Sequence, residues 1–444
     1  MVVHVKILKP FISVSGMTLL SKLTGFAKLA MIAAFFGGGS HADVLLIVLM
    51  LPDLAVKLLS EGLIYSAAVP LFVSLKDDSE SLKKAFVTLA HTTAFFTLIL
   101  AALLAIFSDN ILGLMTPSFT SEMLAKASLM WRILTVYVFC VFMLGVFASL
   151  LNSAGFFAGP AFAPVIVNLS VILAMLVNKS SLTAERVALI TSIGGVLELA
   201  WLLFLIKKNR VFNSFSFSDI FQFDKVVCKR FLISSSSVGV WSLTLPIMPI
   251  YERTLASMAG TGGIAALEYS AKLFNFPLAL FSMSLAQVLL PAFSSLDSDK
   301  RMNLSKKLMK IIFLLLLPAI TVCYFGAEGI MSLVYKRGAF TNENAAYAGE
   351  LFSVYSLALL PASLIAVLNR QYFASGKYAI PSAAALMSAA LQLAFGRFLV
   401  SKLGISGIGW SAFGALSVQF LILAFGLFTL KESGQSSKTK DVGI

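Results

Sequence analysis

Cysteine, histidine and charge are all scarce in this chain, and each scarcity removes a class of function. Cys140, Cys228 and Cys323 are its three cysteines, and no two are near in sequence. They offer neither a disulfide framework nor metal-ligand spacing. His4, His41 and His91 are too scattered for a ligand cluster. Charged residues make up 12% of the chain against 59% hydrophobic, with a mean hydropathy of +0.92. That excludes a soluble globular chain and indicates a polytopic helical membrane protein. Catalytic signatures are missing too: there is no HExxH, no Ser-His-Asp candidate and no Walker A loop. The GGGS at 37–40 lacks the following Lys-Ser/Thr and the strand context of a phosphate loop. A net charge of +13 would suggest nucleic acid in a soluble protein. In a membrane chain it reads as basic loops that orient the protein, so no nucleic-acid partner is expected.

What is present is a series of apolar runs. Counting those of about 20 residues gives about twelve spans. They lie near 11–36, 42–74, 84–107, 125–152, 161–178, 186–206, 230–256, 264–294, 307–335, 345–374, 380–402 and 407–430. No small-residue cleavage site follows Lys6 and Lys9, and Lys22 interrupts the first run, so it reads as an uncleaved span. Basic residues concentrate in alternate loops, around Lys76 to Lys84, Lys207 to Arg230 and Lys300 to Lys307, and in the tail. This bias predicts both termini in the cytoplasm. The longest polar break, Asn209 to Lys229, interleaves phenylalanine with polar residues. It reads equally as an interfacial segment on the membrane or as an ordinary loop with buried rings.

An internal repeat places a boundary at that break. VPLFVSLKDD at 69–78 matches LPAFSSLDSD at 290–299, pairing Pro70 with Pro291, Phe72 with Phe293 and Asp78 with Asp299. LNSAGFFAGPAFAP at 151–164 matches LNRQYFASGKYAIP at 368–381. The expected organisation is a six-helix lobe at 1–208, a cytoplasmic or interfacial linker at 209–229, a second six-helix lobe at 230–431 and a polar tail at 432–444. Parallel repeats of this kind predict an all-α pair of lobes related by an axis along the membrane normal, with a site between them.

The charges inside the apolar runs carry the functional reading. A cation at mid-bilayer costs roughly 2.5–3.5 kcal/mol on the insertion scale. Lys22 and Lys28 sit in the first span, six residues apart, with Gly25 between them to bend the helix. Asp53, Lys57 and Glu61 form an i, i+4, i+8 stripe after Pro52. Glu268, Lys272 and Asn275 share a face before Pro277. Local pairing of Glu268 with Lys272 is the structural alternative. Lys22, Lys28, Lys57 and Lys272 outnumber the unpaired carboxylates, which suits an anionic substrate and a phosphate above all. Glu252-Arg253 reads as interfacial anchoring. Glu198, Arg132 and Glu350 are lone charges with no role beyond lining or pairing.

These residues resemble a known family, the MurJ (MviN) lipid II flippases of the MOP exporter superfamily. The resemblance covers nearly the whole chain. It rests on SKLTGFAKLAMIAAFFGGGSHAD at 21–43, LPDLAVKLLSEGLIYSAAVPLF at 51–72, LNSAGFFAGPAFAPVIVNL at 151–169, EYSAKLFNFPLAL at 268–280 and YKRGAFT at 335–341. It implies a V-shaped pair of six-helix lobes with a central cavity, and export of lipid II, an undecaprenyl-pyrophosphate-linked disaccharide-pentapeptide, across the bacterial inner membrane by alternating access. It also implies that Lys22, Lys28, Lys57 and Lys272 hold the pyrophosphate and sugar head, with Asp53 and Asn275 beside them. Asp43, Glu61 and Glu268 are then the gating or coupling residues. No cofactor is implied, coupling is to the membrane potential or a monovalent ion, and membrane lipids and cell-wall synthesis proteins are the partners.

The chain departs from that pattern in three ways. The family usually has arginine at Lys22, Lys28 and Lys272, and lysine lacks the planar bidentate fork. Two adjacent basic residues are common where this chain has Val56 and Lys57. The family also has two further C-terminal helices, so a twelve-span chain would keep the lipid tail in the lobe gap or the bilayer. The competing functions are another MOP-type exporter, either a polysaccharide-precursor flippase or a MATE-like antiporter, and a membrane scaffold without transport. A cation exporter calls for a net acidic cavity, and a scaffold leaves the buried charges without purpose.

Overall fold

The computed structural model describes residues 2–60, 64–177, 182–212, 216–242, 246–278, 289, 293–294 and 296–440, which are helical with no strand among them. The helices are α1 (Val2–Phe36), α2 (Ser40–Ser60), α3 (Tyr65–Ser74), α4 (Ser79–Ile106), α5 (Ser108–Met115), α6 (Ser121–Ser153), α7 (Ala158–Val177) and α8 (Ala184–Lys208). After a 3-10 turn (Phe217–Phe221) come α9 (Lys225–Ser242), α10 (Ile247–Met258), α11 (Gly263–Leu278), α12 (Ser298–Phe325) and α13 (Ala327–Tyr335). The chain continues through α14 (Asn342–Leu357), α15 (Leu359–Ala374), α16 (Ala379–Leu403) and α17 (Ser406–Lys440). Among the described residues, nine helical segments are long and apolar enough to cross a bilayer. The expected spans outside that set, 42–74, 230–256 and 264–294, each contain residues outside the described set.

Local chemistry sets the helix ends. Asp78, Thr120, Thr183 and Thr341 cap α4, α6, α8 and α14 by accepting backbone N–H bonds. Gly37, with φ 68°, lets the chain leave α1 in the left-handed region. The expected span 307–335 is two helices. They break at Gly326, where a Cβ would lie 2.7 Å from the Val322 carbonyl oxygen. The expected span 345–374 is likewise interrupted at Ala358, because Pro361 has no N–H to offer the carbonyl of Leu357.

The chain forms two compact units, Met1–Ile250 and Tyr251–Ile444. Each is built around one largely buried helical segment: α6 in the first, packed by α2, α4 and α8, and α14–α15 in the second, where α11, α13 and α17 pack on α14 and α12 on α15. The residues matched by the repeat share environments. Phe72 and Phe293 are fully buried. Asn152 and Asn369 each keep a buried amide oxygen without a hydrogen-bond partner among the described residues.

Close helix contacts in the first unit depend on glycine. A Cβ at Gly195 would lie 2.4 Å from the Tyr137 ring, and one at Gly194 2.7 Å from Cγ2 of Val167. These two positions bring α8 against α6 and α7. Gly195→Ala is therefore expected to cost about 1–3 kcal/mol through overpacking. Thermal unfolding in detergent checks this, and an unchanged midpoint would contradict the packing.

The polar break is held against the first unit. Phe212 packs on Phe86 with ring centroids 5.5 Å apart, while Phe221 and Phe223 are exposed. The loop-with-buried-ring reading thus holds for Phe212. The Lys83 ammonium is buried and lies 2.8 Å from Glu80 and 3.4 Å from Asp219. Lys84 reaches Asp224 at 3.5 Å, and the Asp224 N–H donates to the Thr88 hydroxyl. The Ser216 N–H donates to the Asp219 carboxylate and, with Lys83, holds its pKa below the usual range against the opposing effect of burial. A lowered carboxylate pKa contributes stability at neutral pH and loses it as pH falls through the folded value. Asp219→Asn is expected to raise amide exchange across 216–224 at pH 7. Wild type should show the same opening only in acid, and equal exchange in both proteins at pH 7 would refute the latch.

Candidate functional site

In α1, Ser21 and Thr24 are fixed to α7. Asn168 Nδ2 donates to the Ser21 carbonyl and the Thr24 hydroxyl, each at 3.3 Å. Lys28 lies one turn beyond Thr24 on the same face. It is half-buried, and its charge acts on Glu198 of α8. Lys22 lies on a different face and is exposed. The two lysines thus stand on different faces of α1, as their six-residue spacing requires. Both remain about 12 Å or more along the helix from the ends of the apolar segment Val14–Phe36.

In α2, Asp43 is 2% exposed and sits in the first turn, where the helix dipole favours a carboxylate. Pro52 lies within the helix, and Asp53 and Lys57 follow it on an exposed face. The charge of Asp53 acts on Tyr137. Glu61 lies outside the described residues.

In α11, the Glu268 carboxylate pairs with the Arg253 guanidinium of α10, and both side chains are largely buried. Arg253 is thus an internal counter-ion and not an interfacial anchor. Its neighbour Glu252 accepts hydrogen bonds from Gln392 Nε2 at 3.0 Å and from the Tyr355 hydroxyl at 3.3 Å. The Arg253 pair answers the local-pairing alternative, because Glu268 is committed to Arg253. Lys272, one turn on, is exposed with no ion pair among the described residues. Asn275 is exposed and donates to the Ala271 carbonyl at 2.8 Å. Lys22, like Lys272, has no ion pair among the described residues.

Sequence reading gave Glu198 no role. Its side chain is 2% exposed, and Tyr137 donates to Oε2 at 3.5 Å. Oε1 has no hydrogen-bond partner among the described residues. A sequence signal existed: Tyr137 and Tyr355 stand 218 positions apart, close to the offset of the repeat, and each donates to a glutamate. Arg132 has the pairing role expected of it, with Asp109 at 2.9 Å.

Helices of this length, packed as two units around buried central segments with cations on their apolar surfaces, define a polytopic membrane transporter. Solved structures place the fold. One described as the lipid II flippase MurJ in an inward closed conformation superposes with a TM-score of 0.77 at 22% identity, covering 94% of this chain and 87% of that one. An inward-facing multidrug resistance MATE family transporter of the MOP superfamily gives 0.75 at 14% identity, covering 95% and 99%. The family model described as "Lipid II flippase MurJ" matches residues 32–440, and the chain belongs to that family. Among its relatives, a probable lipid II flippase MurJ from Buchnera aphidicola subsp. Acyrthosiphon pisum is 27% identical over 439 residues, covering 96% of this chain and 84% of that protein. One from Aquifex aeolicus is 26% identical over 393 residues, covering 86% and 75%.

Proposed function

We propose that this chain exports lipid II from the cytoplasmic to the periplasmic leaflet of the bacterial inner membrane by alternating access, with both termini in the cytoplasm. It is a transporter that makes and breaks no covalent bond. The observation that carries this reading is the uncommitted cation at Lys272, seconded by Lys22. Each is exposed on an apolar helix without an ion pair among the described residues, while Glu268 is held by Arg253. A lysine facing lipid at that depth is costly, so these surfaces are assigned to a polar path. A pyrophosphate supplies the charge they lack through short, charge-assisted hydrogen bonds. In the first unit Lys57 and Asp53 share the exposed face of α2, in the second Asn275 is exposed three residues from Lys272, and these too are assigned to the substrate headgroup. Family membership supports the substrate. The net cationic character of these surfaces does not suit cationic drugs, despite the MATE-like fold.

Reconstitution tests the reading. Vesicles containing the full chain and labelled lipid II are expected to move it between leaflets, read by access of an impermeant reagent. Lys22→Ala is expected to slow that movement by about 10-fold or more, as loss of one hydrogen bond to a charged group implies. Movement no faster than in protein-free vesicles would refute the reading.

A further inference from the structure

The turn after α15 carries charge that its fold does not call for. In both units the buried central segment ends in the same kind of turn. Gly155 (φ 87°) and Gly376 (φ 68°) take the left-handed region. The N–H of the next residue then donates back to the carbonyl of Leu151 in the first unit and of Tyr372 in the second. The first unit makes this turn within 151–164, a stretch without a charged residue. The stretch matched to it, 368–381, has Arg370 and Lys377, neither in an ion pair among the described residues. A cation near a helix C-terminus gains from the dipole, but the first unit closes its turn without one.

Aromatic rings stand beside these cations. The Arg370 guanidinium lies over the Phe373 ring, 6.0 Å from its centroid. Phe373 stacks on Tyr378, with centroids 5.6 Å apart and planes at 26°. Lys377 is exposed, and Tyr378 is 61% exposed, so its ring offers an open face. The turn is fastened from below. Arg301, near the start of α12, donates to the Ser375 hydroxyl at 2.7 Å and to the Leu296 carbonyl at 2.9 Å. The Tyr372 hydroxyl donates to the Leu423 carbonyl at 2.8 Å. Groups fixed in advance lose less entropy when they bind. The turn also ends the segment that the rest of the second unit surrounds, which sets it apart from a belt of lipid-facing aromatic anchors.

We propose that Arg370, Lys377 and the Phe373–Tyr378 stack form a docking point for the sugar-diphosphate headgroup of the substrate at the cytoplasmic end of the second unit. This rests on the lipid II reading and the orientation given above, and deepens them with a contact outside the apolar helices. Arg370 and Lys377 supply charge-assisted hydrogen bonds to diphosphate oxygens. The open face of Tyr378 is the negative face of its ring quadrupole, against which the C–H face of a pyranose lies. An anionic phospholipid answers the cations alone. A phosphate that carries a sugar answers the cations and the ring together.

The test is titration of the full chain in detergent with lipid II, undecaprenyl phosphate and phosphatidylglycerol. Wild type is compared with the double variant Arg370→Gln, Lys377→Gln, and with Tyr378→Ala and Tyr378→Phe. The double variant is expected to lose about 10-fold or more in lipid II affinity, the scale of one hydrogen bond from a charged donor. Tyr378→Ala should weaken lipid II several-fold and leave undecaprenyl phosphate, which has no sugar, unchanged. Tyr378→Phe keeps the ring and should bind like wild type. Phosphatidylglycerol should bind all four proteins alike. Thermal midpoints near wild type are expected throughout, because the first unit's turn forms without these cations. Lipid II affinity unchanged in the double variant or in Tyr378→Ala, an equal loss of both undecaprenyl lipids in Tyr378→Ala, or phosphatidylglycerol binding lost in parallel would each overturn the inference and leave the lipid II reading standing. Wild type that binds lipid II no better than undecaprenyl phosphate would overturn both.

Discussion

Lys272→Glu is expected to lower lipid II affinity by about 100-fold or more, with Lys272→Ala losing about 10- to 100-fold and Lys272→Arg retaining binding. A hydrogen bond from a charged donor contributes about 1.5–3 kcal/mol, which sets the scale for the alanine variant. Charge reversal adds repulsion between the new carboxylate and the pyrophosphate. It also places that carboxylate one turn from Glu268, where like charges disfavour each other. Because Lys272 is exposed and Glu268 is held by Arg253, the folded chain loses little when Lys272 changes. Thermal midpoints should stay near wild type while binding, measured by titration with lipid II, collapses. A matched fall in stability and binding would move Lys272 from substrate contact to structural support.

Arg253→Leu is expected to be the most destabilising of the charge changes, by about 3–5 kcal/mol, as for breaking one side of a buried ion pair. It strands Glu268 on α11 without the guanidinium that now holds it. The nearest remedy for that carboxylate is Lys272, four residues on and on the same face. The variant should therefore lose transport beyond what instability explains, since Lys272 becomes committed. Arg253→Leu combined with Glu268→Gln removes the stranded charge. It is expected to recover most of the stability and leave Lys272 available. Thermal unfolding and leaflet-transfer rates of the two single variants and the double variant form the test. A double variant no better than Arg253→Leu alone would refute the division of labour between Arg253 and Lys272.

The sequence made the spans and the charged positions legible because burial in lipid leaves long apolar runs and makes each interrupting charge conspicuous. Lys22, Lys28, Asp53, Lys57 and Lys272 all stand on helices where the apolar pattern put them. The pairing between charges was not legible. Arg253 meets Glu268 from a different helix, and Glu198 meets Tyr137 across 61 residues of chain. Helical spacing speaks only to neighbours on one helix, so it offered Lys272 as the partner of Glu268 and offered Glu198 nothing. The separation of Lys22 from Lys28 was half legible. Their spacing put them on different faces, but only the Asn168 bonds show which face turns inward. The helix breaks at Gly326 and Ala358 passed unseen because apolar composition continues through them.

The most direct measurement is native mass spectrometry of the purified chain with lipid II, with undecaprenyl phosphate and a lipophilic cation as competitors, for wild type, Lys22→Ala and Lys272→Ala. Preferential binding of lipid II, weakened in both variants and untouched by the cation, is the predicted result. Lipid II bound no better than undecaprenyl phosphate, and equally by all three proteins, would contradict pyrophosphate binding by these lysines.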